Sequence, residues 1–143
     1  MDPEVIPASL QQPVVLIERP CFSVKITSGS PWAEFRVVPD AVLDHHISWE
    51  AKQVLEQTSP GTRFYLLVDS EGFFRVTRKA RKLAASREFS THLAAVACYT
   101  PHSSLSLLGE LYNKINKPAV PTRVFSSREQ AVEWLTEQMH QAL

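Results

Sequence analysis

The stretch "FYLLVDSEGFFRVTRKARK" (residues 64–82) decides the fold, because it joins an uninterrupted apolar run to a dense basic one. Its first part, "FYLLVD" at residues 64–69, shows no alternation between apolar and polar positions. A strand of this kind is covered on both faces, as in a parallel sheet flanked by helices. A second such run, "LAAVACY" at 93–99, follows a predicted helix from about Val76 to Ser86. The stretch therefore predicts a layered α/β sheet.

Two earlier segments alternate instead, which predicts an antiparallel hairpin with one wet face. They are "FSVKITS" at 22–28 and "WAEFRVV" at 32–38, separated by Ser-Gly-Ser-Pro. A short strand is expected at Val14 to Glu18. Residues 1–13 carry three prolines and little periodicity, so they are predicted to form a flexible arm before one domain over residues 14–143.

The remaining elements follow from helical spacing and capping signals. A first helix is predicted to start near Ser48, which is its expected cap. The prediction comes from apolar residues at helical spacing, namely Ile47, Ala51, Val54 and Leu55. A third helix is predicted near 103–116, followed by the strand "TRVF" at 122–125. Ser126 and Glu129 form a capping box that opens the last helix. The predicted order is β-β-α-β-α-β-α-β-α, without an internal repeat.

Composition narrows the class of protein. The 143 residues fit one domain, and 15 basic residues balance 15 acidic ones, so no global field attracts nucleic acid or a membrane. No apolar run approaches the roughly 18 residues that span a bilayer. The first residues lack the positive charge and apolar run of a signal peptide, which predicts a cytoplasmic protein. Cys21 and Cys98 are expected to be reduced thiols.

Three pieces of the sequence resemble a known family: "FYLLVDSEGF", "NKINKPAVPTRVF" and "SSREQAVEWL". Together they resemble the STAS (SpoIIAA-like) domain of anti-sigma-factor antagonists, and more closely small bacterial STAS/CRAL-TRIO-like proteins. The resemblance covers about residues 22–138. It implies an α/β, SpoIIAA/STAS-like fold, in which an N-terminal antiparallel hairpin precedes alternating helices and parallel strands in one mixed sheet.

The resemblance also marks positions. Signalling STAS domains carry an Asp near the end of the central strand, and Asp69 matches it. They then carry a phosphorylatable serine at the next helix start, where this chain has Arg78 or Lys79. Thr77 is the nearby hydroxyl, and helix capping is favoured over phosphorylation for it. What remains is a positively charged helix start that suits an anion or an acidic partner.

The predicted helix extends this positive charge. Residues 75–87 hold six basic side chains and no acid. Val76, Ala80, Leu83 and Ala84 form its predicted buried stripe, while the opposite arc is basic: Arg78, Lys79, Arg81 and Lys82. With Asp69 and Thr77, these four make up the candidate anion or partner patch. A solvated face, an acidic protein, phosphate and nucleic acid all fit; nucleic acid fits least, since no aromatic ladder accompanies the charges.

Other surfaces also suggest partners. Glu129, Glu133 and Glu137 form an acidic ridge at i, i+4, i+8, for which the Arg78/Lys82 face of another copy is one candidate partner. The predicted helix 103–116 has an apolar arc wider than a core stripe needs, which fits core, a lipid pocket or self-association. The candidate interface or ligand face is Trp32, Trp49, Leu107, Leu111 and Tyr112.

Enzyme chemistry is not indicated. The histidines lack metal-ligand spacing, Cys98 belongs to an expected buried strand, and the four glycines form no phosphate-binding loop. We therefore expect no cofactor and no metal. The predicted function is a non-enzymatic protein-interaction or regulatory module, with homodimerisation as one form. The alternatives are small-ligand or lipid binding through 103–116, and anion or nucleic-acid binding through 75–87.

Overall fold

The structure, a computed structural model, describes residues 14–27, 29–70, 75–100 and 119–142. In chain order the strands and helices are β1 (Val14–Glu18), β2 (Phe22–Thr27), β3 (Trp32–Val37), β4 (Val42–Leu43), α1 (His45–Thr58), β5 (Phe64–Ser70), β6 (Arg75–Val76), α2 (Arg78–Ala84), β7 (Leu93–Tyr99), β8 (Thr122–Phe125) and α3 (Arg128–Gln141). A 3-10 helix at Phe89–His92 leads into β7. The predicted arm at 1–13 and helix at 103–116, with Leu107, Leu111 and Tyr112, lie outside the described residues.

The main sheet confirms the predicted fold class. Its strand order is β1-β2-β3-β5-β7-β8. The β1/β2 and β2/β3 pairs are antiparallel, whereas β3/β5, β5/β7 and β7/β8 are parallel. The described strands thus begin with antiparallel pairs and continue into a parallel half, where α1 and α2 connect β3 to β5 and β5 to β7, which makes one mixed sheet.

Helix α1 packs on one face of this sheet. The cluster it joins includes Phe22, Val24, Val54, Leu55 and Phe64, all nearly inaccessible to solvent. The rings of Phe22 and Phe35 stack with centroids 4.9 Å apart across the β2/β3 pair. Helix α2 contacts α1 on the same side.

Helix α3 covers the opposite face of the parallel half, where it contacts β7, β5 and β8. Ala131 and Leu135 are buried there against Leu67, Ala95 and Ala97. The small alanines of β7 let the helix approach the sheet closely. Because α3 covers this face of β7, its residues are apolar here as well, which makes the sequence of β7 a continuous apolar run.

Two predicted helix starts were wrong by a few residues. Helix α1 begins at His45, capped by Asp44, whose carboxylate accepts a hydrogen bond from the Ile47 amide at 2.9 Å. Ser48 lies within the helix and donates its hydroxyl to the Asp44 carbonyl. Helix α3 is capped by Ser127, which accepts from the amide of Gln130, rather than by Ser126. In both cases a neighbouring residue supplies an equally good cap.

The predicted helix at 76–86 is shorter than expected. Val76 belongs to β6, which forms a two-stranded parallel ribbon with β4 in the register Val42↔Arg75 and Leu43↔Val76. Its side chain is exposed, so its assignment to the buried stripe was wrong. The capping role of Thr77 is confirmed, because its hydroxyl accepts from the Ala80 amide at 3.2 Å.

Neither cysteine forms a disulfide, as predicted. Burial raises the pKa of the Cys98 thiol to about 12, which keeps it protonated at neutral pH. Within the described ranges, no helix combines the length and the apolar character needed to cross a bilayer.

Lys52 ties α1 to the segment that precedes β7. The residue is 6% exposed, and its ammonium donates to the carbonyls of Glu88 at 3.0 Å and Phe89 at 2.8 Å. It also reaches the hydroxyl of Thr91 at 3.2 Å and the carboxylate of Glu56 at 3.6 Å. Buried cations are tolerated where such oxygen partners surround them. Lys52 therefore holds the segment from Glu88 to Thr91, which precedes β7, against α1.

We predict that Lys52→Met lowers the free energy of unfolding by about 2 kcal/mol, because it leaves two carbonyls without their charged donor. Methionine preserves most of the apolar stem, so packing changes little. The matched control is Lys25→Met on the exposed face of β2, which we expect to change stability by less than about 0.5 kcal/mol. Urea denaturation measures both; equal midpoints for the two variants would contradict the role of Lys52.

We also predict a loss of stability in acid through His92. Burial, and then the Lys52 cation, lower the pKa of His92 from 6.5 to about 4, while its Nδ1 donates to the Phe89 carbonyl. The unfolded chain binds this proton more readily, so stability is present above pH 6.5 and is lost as the pH falls toward 4. His92→Gln should flatten this dependence in urea titrations, whereas His140→Gln, at an exposed position of α3, should not.

Candidate functional site

Asp69, the predicted strand-end aspartate, lies in a polar row at the carboxyl ends of the parallel strands. The register pairs it with Arg36 of β3 on one side and Tyr99 of β7 on the other. Neighbours in register project to the same face, and here it is the α3 face, since Asp69 alternates with the buried Leu67. Ligands of open α/β sheets commonly bind at this edge.

Charge pairs connect this row to α3. The carboxylate of Asp69 is largely buried and accepts from Nε and Nη2 of Arg36, both at 3.2 Å. Arg128, the first residue of α3, donates through Nη2 to Oε1 of Glu34 at 2.7 Å. We call Glu34, Arg36, Asp69, Tyr99 and Arg128 the edge cluster.

Tyr99 completes the edge cluster. Burial raises the pKa of its phenol to about 12, and the hydrogen bond to Asp69 and the negative charge of that residue add to the rise. Arg128 opposes this effect, which places it near the same hydroxyl. The phenol therefore stays protonated and donates to Asp69. The charges of two cations and two carboxylates cancel within the edge cluster. Its ion pairs and hydrogen bonds therefore hold α3 against the three strands β3, β5 and β7.

Asp69 does not join the basic residues with which it was grouped. Arg78, Lys79 and Lys82 are exposed on α2, beside α1, whereas Asp69 faces α3 across the sheet. Arg81 is half-buried. We call the exposed cations Arg75, Arg78, Lys79 and Lys82 the basic surface. The candidate patch is thus a basic surface without its predicted aspartate, because alternate residues of β5 point to opposite faces.

The start of α1 adjoins the basic surface. The rings of His45 and His46 lie 4.0 Å apart at this helix start. Burial, then the charges of His46 and Lys79, lower the pKa of His45, which places Lys79 next to the first turn of α1. The basic surface therefore borders the β4–β6 ribbon and the first turn of α1.

The two tryptophans of the candidate interface occupy different surroundings. Trp32 is half-buried against the α3 core cluster, so α3 partly covers the face predicted to be wet. Trp49 remains exposed on α1, yet its ring meets Phe89 edge to face at 5.2 Å and lies 5.5 Å from the Lys52 ammonium. Both residues therefore have packing roles.

A depression of about 330 Å³ lies where α1 ends. It is lined by Glu56, Pro60, Gly61, Thr62, Thr91 and His92. The lining combines polar side chains with apolar surface, and no large aliphatic or aromatic side chain that would suit a lipid chain is among these residues. The predicted lipid face at 103–116 lies outside the described residues and stays a prediction.

Strand β1 is a surface that the sequence reasoning missed. Among the described residues it pairs only with β2, at the outer edge of the sheet. Val14, Val15 and Leu16 are 50%, 38% and 59% exposed, respectively. The sequence feature that points to this surface is the run of consecutive apolar residues at the start of the predicted domain. Only the strand order shows that these residues lie on an edge strand of the sheet.

We predict that Asp69→Asn destabilises the protein by about 1–2 kcal/mol at neutral pH, because it weakens the bonds to Arg36 and Tyr99. The raised pKa of Tyr99 adds a pH test: stability is lost as the pH rises from 10 toward 12, because the unfolded chain releases this proton more easily. Asp69→Asn lowers the pKa of Tyr99 and should reduce that loss. Urea denaturation midpoints at neutral pH and between pH 10 and 12 measure both effects, and Asp40→Asn at an exposed position is the control. Equal midpoints for the two variants at every pH would exclude a stabilising role for Asp69 in the edge cluster.

Comparison with known proteins supports the fold. No curated protein matches this chain. A solved structure that matches is an uncharacterized protein from the DUF3478 family, with a SpoIIAA-like fold, from Shewanella loihica PV-4. The two are 14% identical with a TM-score of 0.52, over 87% of this chain and 94% of the other. This likeness confirms the SpoIIAA-like fold alone; the CRAL-TRIO part of the resemblance stays a prediction.

A family match covers most of the described core. It runs over residues 34–139, from within β3 into the last turns of α3, and therefore takes in most of β3 and all of β5, β7 and β8. On this match the chain belongs to the family described as Domain of unknown function (DUF7793).

Proposed function

We propose that this domain is a non-enzymatic protein-interaction module and that it pairs with a second copy of itself along β1. The observation that carries the proposal is the exposed apolar run of Val14, Val15 and Leu16 on the outermost described strand. An edge strand presents backbone donors and acceptors to any strand that approaches it. Such edges bind extended segments by adding a strand.

The composition of β1 favours pairing. Natural edge strands are commonly protected by lysine, proline or bulges. The five residues of β1, "VVLIE", contain neither lysine nor proline, and they pair with β2 in unbroken register. Glu18 is the single charge of the strand and stands at its end. The middle of the strand is therefore free of the charges that oppose association.

A twofold axis at Leu16 gives the simplest pairing. Two antiparallel β1 strands centred there place Leu16 opposite its own copy and Val15 opposite Ile17. Apolar contacts then form on both faces of the joined sheet, since successive residues point to opposite faces. This arrangement buries side chains that are exposed in the monomer and doubles the six-stranded sheet.

The ionisable groups at the strand ends support a binding role over catalysis. The Asp69 carboxylate is held by Arg36 and Tyr99, and the Cys98 thiol stays protonated. A general base needs a carboxylate open to substrate, and a nucleophilic cysteine needs an accessible thiolate. The fold itself hosts unrelated functions, so the proposal rests on β1 rather than on the SpoIIAA-like likeness.

We predict that the protein forms a dimer whose dissociation constant rises at least about 100-fold in Leu16→Lys, because two like charges then face each other on the axis. Leu16→Glu should weaken the dimer equally. An equimolar mixture of the two variants should restore pairing, since opposite charges then meet. Sedimentation equilibrium or light scattering at several concentrations measures all three.

Val38→Lys is the matched control, because Val38 is exposed to a comparable degree but lies outside β1. It should leave the dimer intact. A monomer at high micromolar concentration, or a dimer that tolerates Leu16→Lys, would refute the proposal.

A further inference from the structure

The β4–β6 ribbon exposes apolar side chains on both of its sides. Val42 shares a side with Arg75, whereas Val76 shares the other side with Leu43, because residues paired in register point the same way. Val42 and Val76 are both exposed, as is Val38 in the turn that leads to β4. We call Val38, Val42 and Val76 the ribbon valines.

The ribbon of the valines contains one cation of the basic surface, Arg75, and leads to the others. The Arg75 amide donates to the Ala41 carbonyl at 3.0 Å and the Thr77 amide to the Leu43 carbonyl at 3.0 Å, so the ribbon leads directly into α2. The basic surface therefore begins within the ribbon and continues along the first turns of α2. Among the described residues, Asp40 and Asp44 are the carboxylates that flank β4, and the Asp44 carboxylate is already used to cap α1. The result is an apolar ribbon within a positive field.

Opposite charge lies on the far side of the sheet. The predicted acidic ridge is exposed on α3, the helix that covers the other face. The basic residues of α2 and the three glutamates of α3 thus lie on opposite faces of the sheet. A negatively charged surface attracts one side and repels the other, so the protein meets it in a defined orientation.

The exposed valines favour a lipid bilayer over the other anionic surfaces. A nucleic-acid backbone offers no contact for aliphatic side chains without aromatic stacking or base readout. A protein groove covers one side of a ribbon, whereas each side of this ribbon carries an exposed valine. The interfacial region of a bilayer surrounds a small element and combines apolar depth with anionic headgroups.

We infer that the β4–β6 ribbon and the basic surface dock this domain onto an anionic lipid bilayer, with the ribbon valines at headgroup depth and the cations against the phosphates. The ribbon stays at the interface, because its outer backbone groups need water or headgroups as partners. Binding is reversible and depends on salt, since a few cations and short side chains supply it. The dimer through β1 is not required for this contact.

The test is sedimentation with sucrose-loaded vesicles at about 0.1 M salt, where charges on the far side are screened beyond about 10 Å. Vesicles of phosphatidylcholine alone are compared with vesicles that contain one part phosphatidylglycerol in three. We expect binding to the anionic vesicles only. Arg78→Glu/Lys82→Glu should weaken it at least about 25-fold, because each cation near an anionic surface contributes about fivefold.

Lys25→Glu/Arg123→Glu is the matched control. It changes the net charge by the same amount at exposed positions of β2 and β8, outside the basic surface. We expect it to bind the anionic vesicles within about twofold of the unmodified protein, because Lys25 and Arg123 project to the α3 face, away from the basic surface, and salt screens distant charges. Equal losses for the two double variants would overturn the inference.

Val42→Ser/Val76→Ser tests the ribbon separately. It should weaken binding about fivefold while leaving the salt dependence unchanged, because it removes apolar contact and no charge. Circular dichroism checks that every variant is folded. An unchanged affinity in the valine variant would leave only electrostatic attraction and would overturn the docking geometry.

Soluble anions separate the bilayer from other sources of phosphate. Inorganic phosphate at 10-fold excess over the accessible lipid should not displace the protein, because a free ion offers no apolar interface. Displacement by phosphate, tighter binding to a DNA duplex than to the vesicles, or equal binding to neutral vesicles would each overturn the inference. Loss of β1 pairing in Leu16→Lys with retained vesicle binding would show that the two surfaces act independently.

Discussion

The burial of β5 on both faces is the constraint on which the rest of the structure depends. Phe64 faces α1 and Leu67 faces α3, and both are almost inaccessible to solvent. A central strand with apolar residues on both sides cannot be left with one wet face. It therefore requires α1 on one face and α3 on the other, and it requires partner strands on both edges, which β3 and β7 provide.

This layering separates the charged side chains into groups with different roles. Asp69 at the end of β5 is directed to the α3 face, where the edge cluster fastens the first turn of α3 to β3, β5 and β7. The basic surface lies on α2 on the other side. The two groups are close in sequence but belong to opposite faces of one sheet, so a partner of the basic surface does not meet Asp69.

Much of the fold follows from local patterns. The continuous apolar runs at 64–69 and 93–99 predicted two central strands, and the alternation in 22–28 predicted a strand of the antiparallel part. The capping role of Thr77 was also readable, because a hydroxyl before a helix start has few better roles. Asp44 and Ser127 were missed as caps because Ser48 and Ser126, close by in sequence, carry the same type of side chain as a cap.

The candidate surfaces were harder to predict from the sequence, because they depend on contacts between residues that are far apart in the chain. Val76 fits a helical stripe by its spacing, yet pairing with Leu43 places it in an exposed ribbon. Trp32 sits among polar neighbours, yet α3, about a hundred residues later, partly covers it. In the sequence, Lys52 resembles an ordinary surface lysine of α1. In the structure, its ammonium is bound by the carbonyls of Glu88 and Phe89.

The sequence by itself therefore determined the long strands and helices of the described residues and which strands lie in the centre, because periodicity and capping are local properties, but it did not predict the short strands β4 and β6. The tertiary structure alone decided which strands lie at the edges of the described sheet, which side chains of β5 meet which helix, and where the cations cluster. These features depend on strand order and register, which arise from contacts between segments distant in sequence. For this protein the proposed interaction surfaces belong to the second group.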